Sequence, residues 1–252
     1  MEEIEIIHKY QNLIEVIYKR EGILSLSSNN YHSSSPNENL LQRYLDIIGF
    51  YAQPGEDFLT LHKIFDDLVF LSKELMFHTA NLYLHRPYIN NPLDTGINFN
   101  GETIYSNYQN LSSLRYSMFT NAAYQTTYNY WDKIGDMLAH CFETKLKPRQ
   151  IDFSKVIEAL ETEFTNNSNY NWIKKFKETE YSILNKSRLN IVHYLTPETT
   201  AKYEHIFNPN DPAFLESWQK RKTEIANYFN DHTKLMLDGF SNILILLEKE
   251  KP

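Results

Sequence analysis

Apolar residues return at intervals of three and four along most of the chain, the spacing that keeps them on one face of an α-helix. Ile4, Ile7, Ile14 and Ile17 predict a first helix from about Glu2 to Arg20. The stretch SLSSNNYHSSSPNEN, rich in Ser and Asn with Pro36, then reads as an exposed loop over 25–39. A short helix near Leu40 to Phe50 ends before the turn signal Gln53-Pro54-Gly55. From Phe58 onward, Leu61, Ile64, Leu68, Leu71, Leu75 and Leu82 hold the helical period for many turns and predict a long helix.

Pro87, Pro92, Gly96 and Gly101 cannot continue that helix, so residues 87–104 are expected to form an irregular insertion or a small hairpin. A second long amphipathic segment carries Leu111, Leu114, Met118, Tyr128, Trp131, Leu138 and Phe142 on one face, and Pro148 closes it. A shorter helix from Ser154 to Phe164 precedes the polar turn TNNSN, and a helix of about 25 residues runs from Tyr170 to Leu195. Thr196-Pro197-Glu198 stops it and caps a new helix, and Asp211-Pro212 repeats that start signal for the last one. No repeat of fixed period is present. The pattern predicts an all-α antiparallel helical bundle over residues 105–252, with additional N-terminal helices in residues 1–86 packed on it and the irregular insertion near 87–104 between them.

Composition agrees with that pattern. The 252 residues include only 7 glycines, and 4 valines stand against 28 leucines and 22 isoleucines. Glycine-cradled nucleotide folds and valine-rich sandwiches are thereby disfavoured. A 42 % apolar fraction suffices for a buried core. The single cysteine, Cys141, can form neither an internal disulfide nor a cysteine-based zinc site, and its neighbours Leu138 and Phe142 suggest a core position. The acidic N-terminus is no secretory signal, and the longest apolar run, Ile243 to Leu247, is far too short to span a bilayer. A soluble, cytoplasmic protein with no membrane partner is expected. Net charge is −7, but residues 1–144 carry 9 basic against 17 acidic side chains and residues 145–252 carry 16 against 15. Any polyanion is therefore expected on the second part.

Several chemistries drop out. There is no phosphate-binding glycine loop, no His-Glu-x-x-His, no doubled Glu-x-x-His of the di-iron bundle type and no Gly-x-Ser-x-Gly elbow. Glu74 with His78, and Asp136 with His140 and Glu143, share helical faces, but such pairs read first as exposed ion pairs, and neither a metal nor a cofactor is expected. The segment LNKSRLNIVHYL is more informative. At 100° per residue, Ile173, Phe176, Ile183, Leu184, Ile191 and Leu195 fall on one side, the face expected in the core. Leu189 and Val192 fall on the other, bordered by Arg188 and His193. An outward apolar strip beside a permanent cation and a titratable imidazole suggests contact with another surface, such as a second copy of the chain. Lys174, Lys175, Lys177 and Lys186 on the same helix could guide an RNA backbone, although a solvated helical face is the simpler reading.

Arg188, four residues, and then His193 at the end of a long late helix that another long helix follows resembles the signature of the HEPN superfamily, all-α domains of bacterial toxins and antiviral systems. The segment YNYWDKIGDMLAHCF adds to the likeness, which spans roughly residues 105–250, and the order of elements looks like that of bacterial proteins in which the HEPN bundle makes up most of one chain. The resemblance implies metal-independent RNA cleavage at a homodimer interface, with His193 as base or acid and Arg188 as charge stabiliser. RNA is then the implied partner, beside a cognate inhibitor or defence partner that the sequence does not name. Two positions depart from the family pattern. Leu189 stands where a polar residue commonly follows the arginine, making Asn190, one place later, the candidate for that role. Leu195 stands where some members carry a modified tyrosine, and Tyr194 lies one place earlier. The alternative is a non-catalytic HEPN-like module for dimerisation or protein binding, in which Arg188 and His193 make structural contacts.

Overall fold

The computed structural model describes residues 3–28, 40–51, 56–106, 108–142, 144–193, 196–207 and 210–249. The described residues are overwhelmingly helical. In chain order the helices are α1 (Glu3–Glu21), α2 (Leu40–Tyr51), α3 (Glu56–His85), α4 (Leu111–Cys141), α5 (Phe153–Ala159), α6 (Glu161–Phe164), α7 (Ser168–Phe176), α8 (Ser182–His193), α9 (Pro197–Phe207) and α10 (Pro212–Lys249). Most of the loop expected over 25–39, the turn Gln53-Pro54-Gly55, Glu143, Tyr194 and Leu195 lie outside the described residues.

Between α3 and α4 the chain makes two short 3-10 turns and an antiparallel hairpin of β1 (Gly96–Phe99) and β2 (Glu102–Tyr105). Phe99 pairs with Glu102 across a two-residue loop, Asn100-Gly101, with φ of 52° and 87°. That left-handed pair is the conformation a tight hairpin needs, and Asn-Gly adopts it at least cost. Helix starts follow local chemistry. Asn110 Oδ1 accepts the backbone N–H of Ser113 at 2.7 Å ahead of α4, Thr196 Oγ1 accepts that of Thr199 at 3.2 Å ahead of α9, and Asp211 Oδ1 accepts that of Phe214 at 3.0 Å ahead of α10.

The residues form two compact units. The first comprises Met1–Ile23, Phe77–Tyr124 and Lys186–Asp231, and the second Leu24–Met76, Gln125–Asn185 and His232–Pro252. The first unit buries Ile14, Ile17, Leu82, Tyr116, Tyr124, Leu215 and Phe229. Its helices are tied by polar groups reaching across: Tyr10 donates to Asn81 Oδ1 at 2.6 Å, Tyr83 to Asn227 Oδ1 at 2.8 Å, and Asn230 Nδ2 to the Glu21 carbonyl at 2.9 Å. In the second unit Trp131 is fully buried, with ring centroids 4.2 Å from Phe176 and 5.2 Å from Phe153. Burial of each such side chain contributes about 1.5–3 kcal/mol.

Three faces differ from expectation. At the start of α4, Leu111, Leu114 and Met118 are 62 %, 48 % and 62 % exposed, while Ser113 and Tyr116 are buried. Hydrogen bonds explain the exchange. Ser113 Oγ donates to Asn90 Oδ1 at 2.5 Å and Tyr116 Oη donates to the Lys222 carbonyl at 2.8 Å, so polar side chains fill the inner face with their needs met. The second difference lies between α7 and α8, where Lys177–Tyr181 form a π-helical turn. One extra residue in a turn rotates everything beyond it by about 100°, which brings Leu184 onto the side of Phe176 and swings Ile183 away. Accordingly Phe176 and Leu184 are buried and Ile183 is 55 % exposed. In α1, similarly, Ile14 and Ile17 are buried but Ile4 and Ile7 are exposed.

Candidate functional site

Helix α8 is described as far as His193, so the histidine of the Arg-x4-His spacing is its last described residue. On a regular helix Arg188 and His193 project about 140° apart. Arg188 is half-buried and already makes an interaction of its own, whereas Asn190 and His193 are exposed. Leu189 and Val192 are 37 % and 49 % exposed, so two apolar side chains between the cation and the imidazole face solvent. All of these residues belong to the first unit.

Asn190 also lines a cavity of about 360 Å³ that lies wholly within the first unit. Its walls come from α4, α8, α9 and α10, and include Tyr116, Tyr124 and Trp218 with Glu198, Glu204, Arg221 and Lys222. Thr196 caps α9 and so brings Glu198 into its first turn. There a Glu198 carboxylate oxygen lies 2.5 Å from Lys222 Nζ, whose side chain is only 7 % exposed. The Lys222 ammonium also sits 5.0 Å from the centre of the Trp218 ring. Carboxylate and indole face together compensate a cation withdrawn from water. Burial pushes the phenols of Tyr116 and Tyr124 up, against a Ser187 hydrogen bond that favours the Tyr124 phenolate, and both groups stay neutral.

Arg188, Asn190 and His193 thus share one helix end, and Asn190 joins it to the cavity. Glu198, Trp218 and Lys222 carried no signal in the sequence. They meet only because α9 and α10 are folded against each other, and no local spacing records that. The basic run on α7 and α8 is less available than its charge suggests, because Lys174 pairs with Glu161 at 2.5 Å and Lys177 with Glu158 at 2.8 Å. Elsewhere, Glu74 accepts the Thr126 hydroxyl at 3.0 Å, and Asp136 lies 3.1 Å from Lys133. Among the described residues no three His, Cys, Asp or Glu side chains gather as a metal site. Cys141 is half-buried and burial pushes its thiol up to about 12. No helix among the described residues is long and apolar enough to cross a membrane.

The family model described as Cthe2314-like HEPN matches residues 87–244, a span that contains the hairpin, α4 through α9 and most of α10. No curated protein and no solved structure matches the chain.

Proposed function

Because the chain belongs to the HEPN superfamily, within its Cthe2314-like family, we propose that it is a metal-independent endoribonuclease of a bacterial defence or toxin system, with an active site completed by two copies of the chain. The observation that carries this reading is the end of α8: Arg188 and His193 flank exposed Leu189 and Val192 on one helix terminus. A contact through Leu189 and Val192 would bring a second Arg188 and His193 to the same place.

In the proposed reaction the ribose 2′-OH attacks the adjacent phosphorus and gives its proton to one His193 imidazole. The bond from phosphorus to the 5′ oxygen breaks, and the second His193, as imidazolium, protonates that leaving oxygen. The products are a 2′,3′-cyclic phosphate and a 5′-hydroxyl. Arg188 holds the phosphorane oxygens with paired N–H donors, and Asn190 adds a neutral amide donor. Imidazole suits both proton roles near neutral pH.

The second reading, a non-catalytic dimerisation or protein-binding module, is favoured by Leu189 in a position commonly polar and by the net charge of −7. One experiment separates them. Wild type and His193→Ala are incubated with RNA in the presence of EDTA, and the product ends are analysed. The nuclease reading expects cyclic phosphate ends and a loss of about 10²-fold or more in rate for His193→Ala. Equal RNA survival for both proteins would overturn the nuclease reading, and cleavage abolished by EDTA would overturn the metal-free mechanism.

A further inference from the structure

We propose that the cavity beside Asn190 is a base-recognition subsite that takes a guanine base from the RNA strand; the proposal rests on the nuclease reading for its role in cleavage, though not for binding itself. The cavity of about 360 Å³ suits a nucleotide-sized ligand, and it lies inside one unit, so it needs no partner chain to exist. Of its aromatic lining, Tyr116 and Tyr124 are buried, and half-exposed Trp218 is the ring on which a base can stack. The Lys222 ammonium lies 5.0 Å from the centre of that ring.

The polar lining selects among bases. Two carboxylates, Glu198 and Glu204, line the cavity, and carboxylates only accept hydrogen bonds. Guanine alone presents two neighbouring N–H donors on its pairing edge, at N1 and N2. Adenine and cytosine place a ring acceptor beside their amino group, and uracil has one donor between two acceptors. An unpaired ring acceptor facing a carboxylate is repelled, so at the two carboxylates guanine is favoured over the other bases. Lys222, 7 % exposed and 2.5 Å from Glu198, holds that carboxylate in place before any ligand arrives. Arg221, exposed at the cavity wall, is placed for the 5′ phosphate, and Asn190 connects the site to the helix end that carries His193.

The test is calorimetric titration of the full-length protein with GMP, AMP, CMP and UMP, none of which contains a cleavable linkage. GMP is expected to bind at least tenfold more tightly than the other three. Thr200→Trp, which places a ring on the exposed wall of the cavity, is expected to abolish binding, and Glu204→Gln to reduce the preference for GMP several-fold with unchanged circular dichroism. Equal affinity for all four nucleotides, no detectable binding, or GMP binding unaffected by Thr200→Trp would overturn the proposal. Mapping cleavage sites on a random-sequence RNA separates the two readings. Cleavage without GMP binding or a guanosine preference removes the subsite alone. GMP binding without cleavage removes the nuclease and leaves a guanine site on a binding module.

Discussion

At the scale of single residues, the most consequential contact outside the hydrophobic core is Glu198 with Lys222. Removing one member of a buried ion pair leaves the other charge in a poor solvent, at a cost of about 3–5 kcal/mol when fully buried. Glu198 is 24 % exposed, so water recovers part of that loss. Glu198→Ala is therefore expected to cost about 2–3 kcal/mol, whereas Glu198→Ala with Lys222→Met should be closer to wild type than Glu198→Ala alone. Urea denaturation of both variants measures the difference, and equal losses would mean that the pair is not coupled. His85 offers a test in pH. Its ring stacks on Phe119 with centroids 6.0 Å apart, and burial, reinforced by the Arg115 charge, holds its pKa below the usual histidine value. The unfolded chain protonates this group near pH 6.5 while the folded protein still excludes the proton. The His85 contribution is thus fully present above that pH and is lost as the pH falls through the folded pKa. His85→Phe should show a smaller fall in Tm between pH 7.5 and 5.5 than wild type.

At the scale of elements, what was legible in the sequence was what local chemistry decides. Thr196-Pro197 and Asp211-Pro212 read as helix starts because the cap oxygen and the proline lie within four residues of one another, and both caps form. The π turn at Lys177–Tyr181 has no such local cause, so 100° steps carried across it placed Ile183 on the wrong side. The first turns of α4 misled for another reason. Hydropathy favours Leu111, Leu114 and Met118 as the inner face, but Ser113 and Tyr116 find partners more than twenty residues away. At the site, Arg188 and His193 were visible as a spacing; the acid, indole and ammonium that line the cavity with Asn190 depend on tertiary packing. Two glycines show how local preference and packing can pull apart. In α10, a Cβ at Gly239 would lie 2.4 Å from the Trp131 ring, which its neighbours hold fast. In α2, a Cβ at Gly49 would meet nothing within 4 Å. Gly49→Ala should gain about 0.5–1 kcal/mol from helix propensity. Gly239→Ala should lose about 1–3 kcal/mol, because overpacking outweighs the same propensity gain. Thermal denaturation of the two variants should therefore shift in opposite directions.

At the scale of the whole molecule, charge and apolar exposure are unevenly distributed. The acidic excess lies in residues 1–144, and residues 145–252, which contain Arg188 and His193, are nearly neutral. Exposed apolar side chains are frequent in the first unit, where Leu111, Leu114 and Met118 join Leu189 and Val192 in facing solvent. Scattered exposure of this kind is common, so the functional weight rests on the two residues between Arg188 and His193. If a second copy covers them, paired charges introduced there would meet across the twofold axis and repel, and the dimer would fail before the fold does. Leu189→Asp with Val192→Asp is the test, read by light scattering across a concentration series beside circular dichroism and RNA cleavage. The expected result is an intact helical spectrum, a monomer at concentrations where wild type is dimeric, and cleavage reduced in step with the dimer fraction. A double variant that remains dimeric, or a monomer that cleaves RNA at the wild-type rate, would show that the site does not require a second copy through this face. Cleavage would then have to arise from a single Arg188 and His193, whose positions at one helix end leave only one imidazole for both proton transfers.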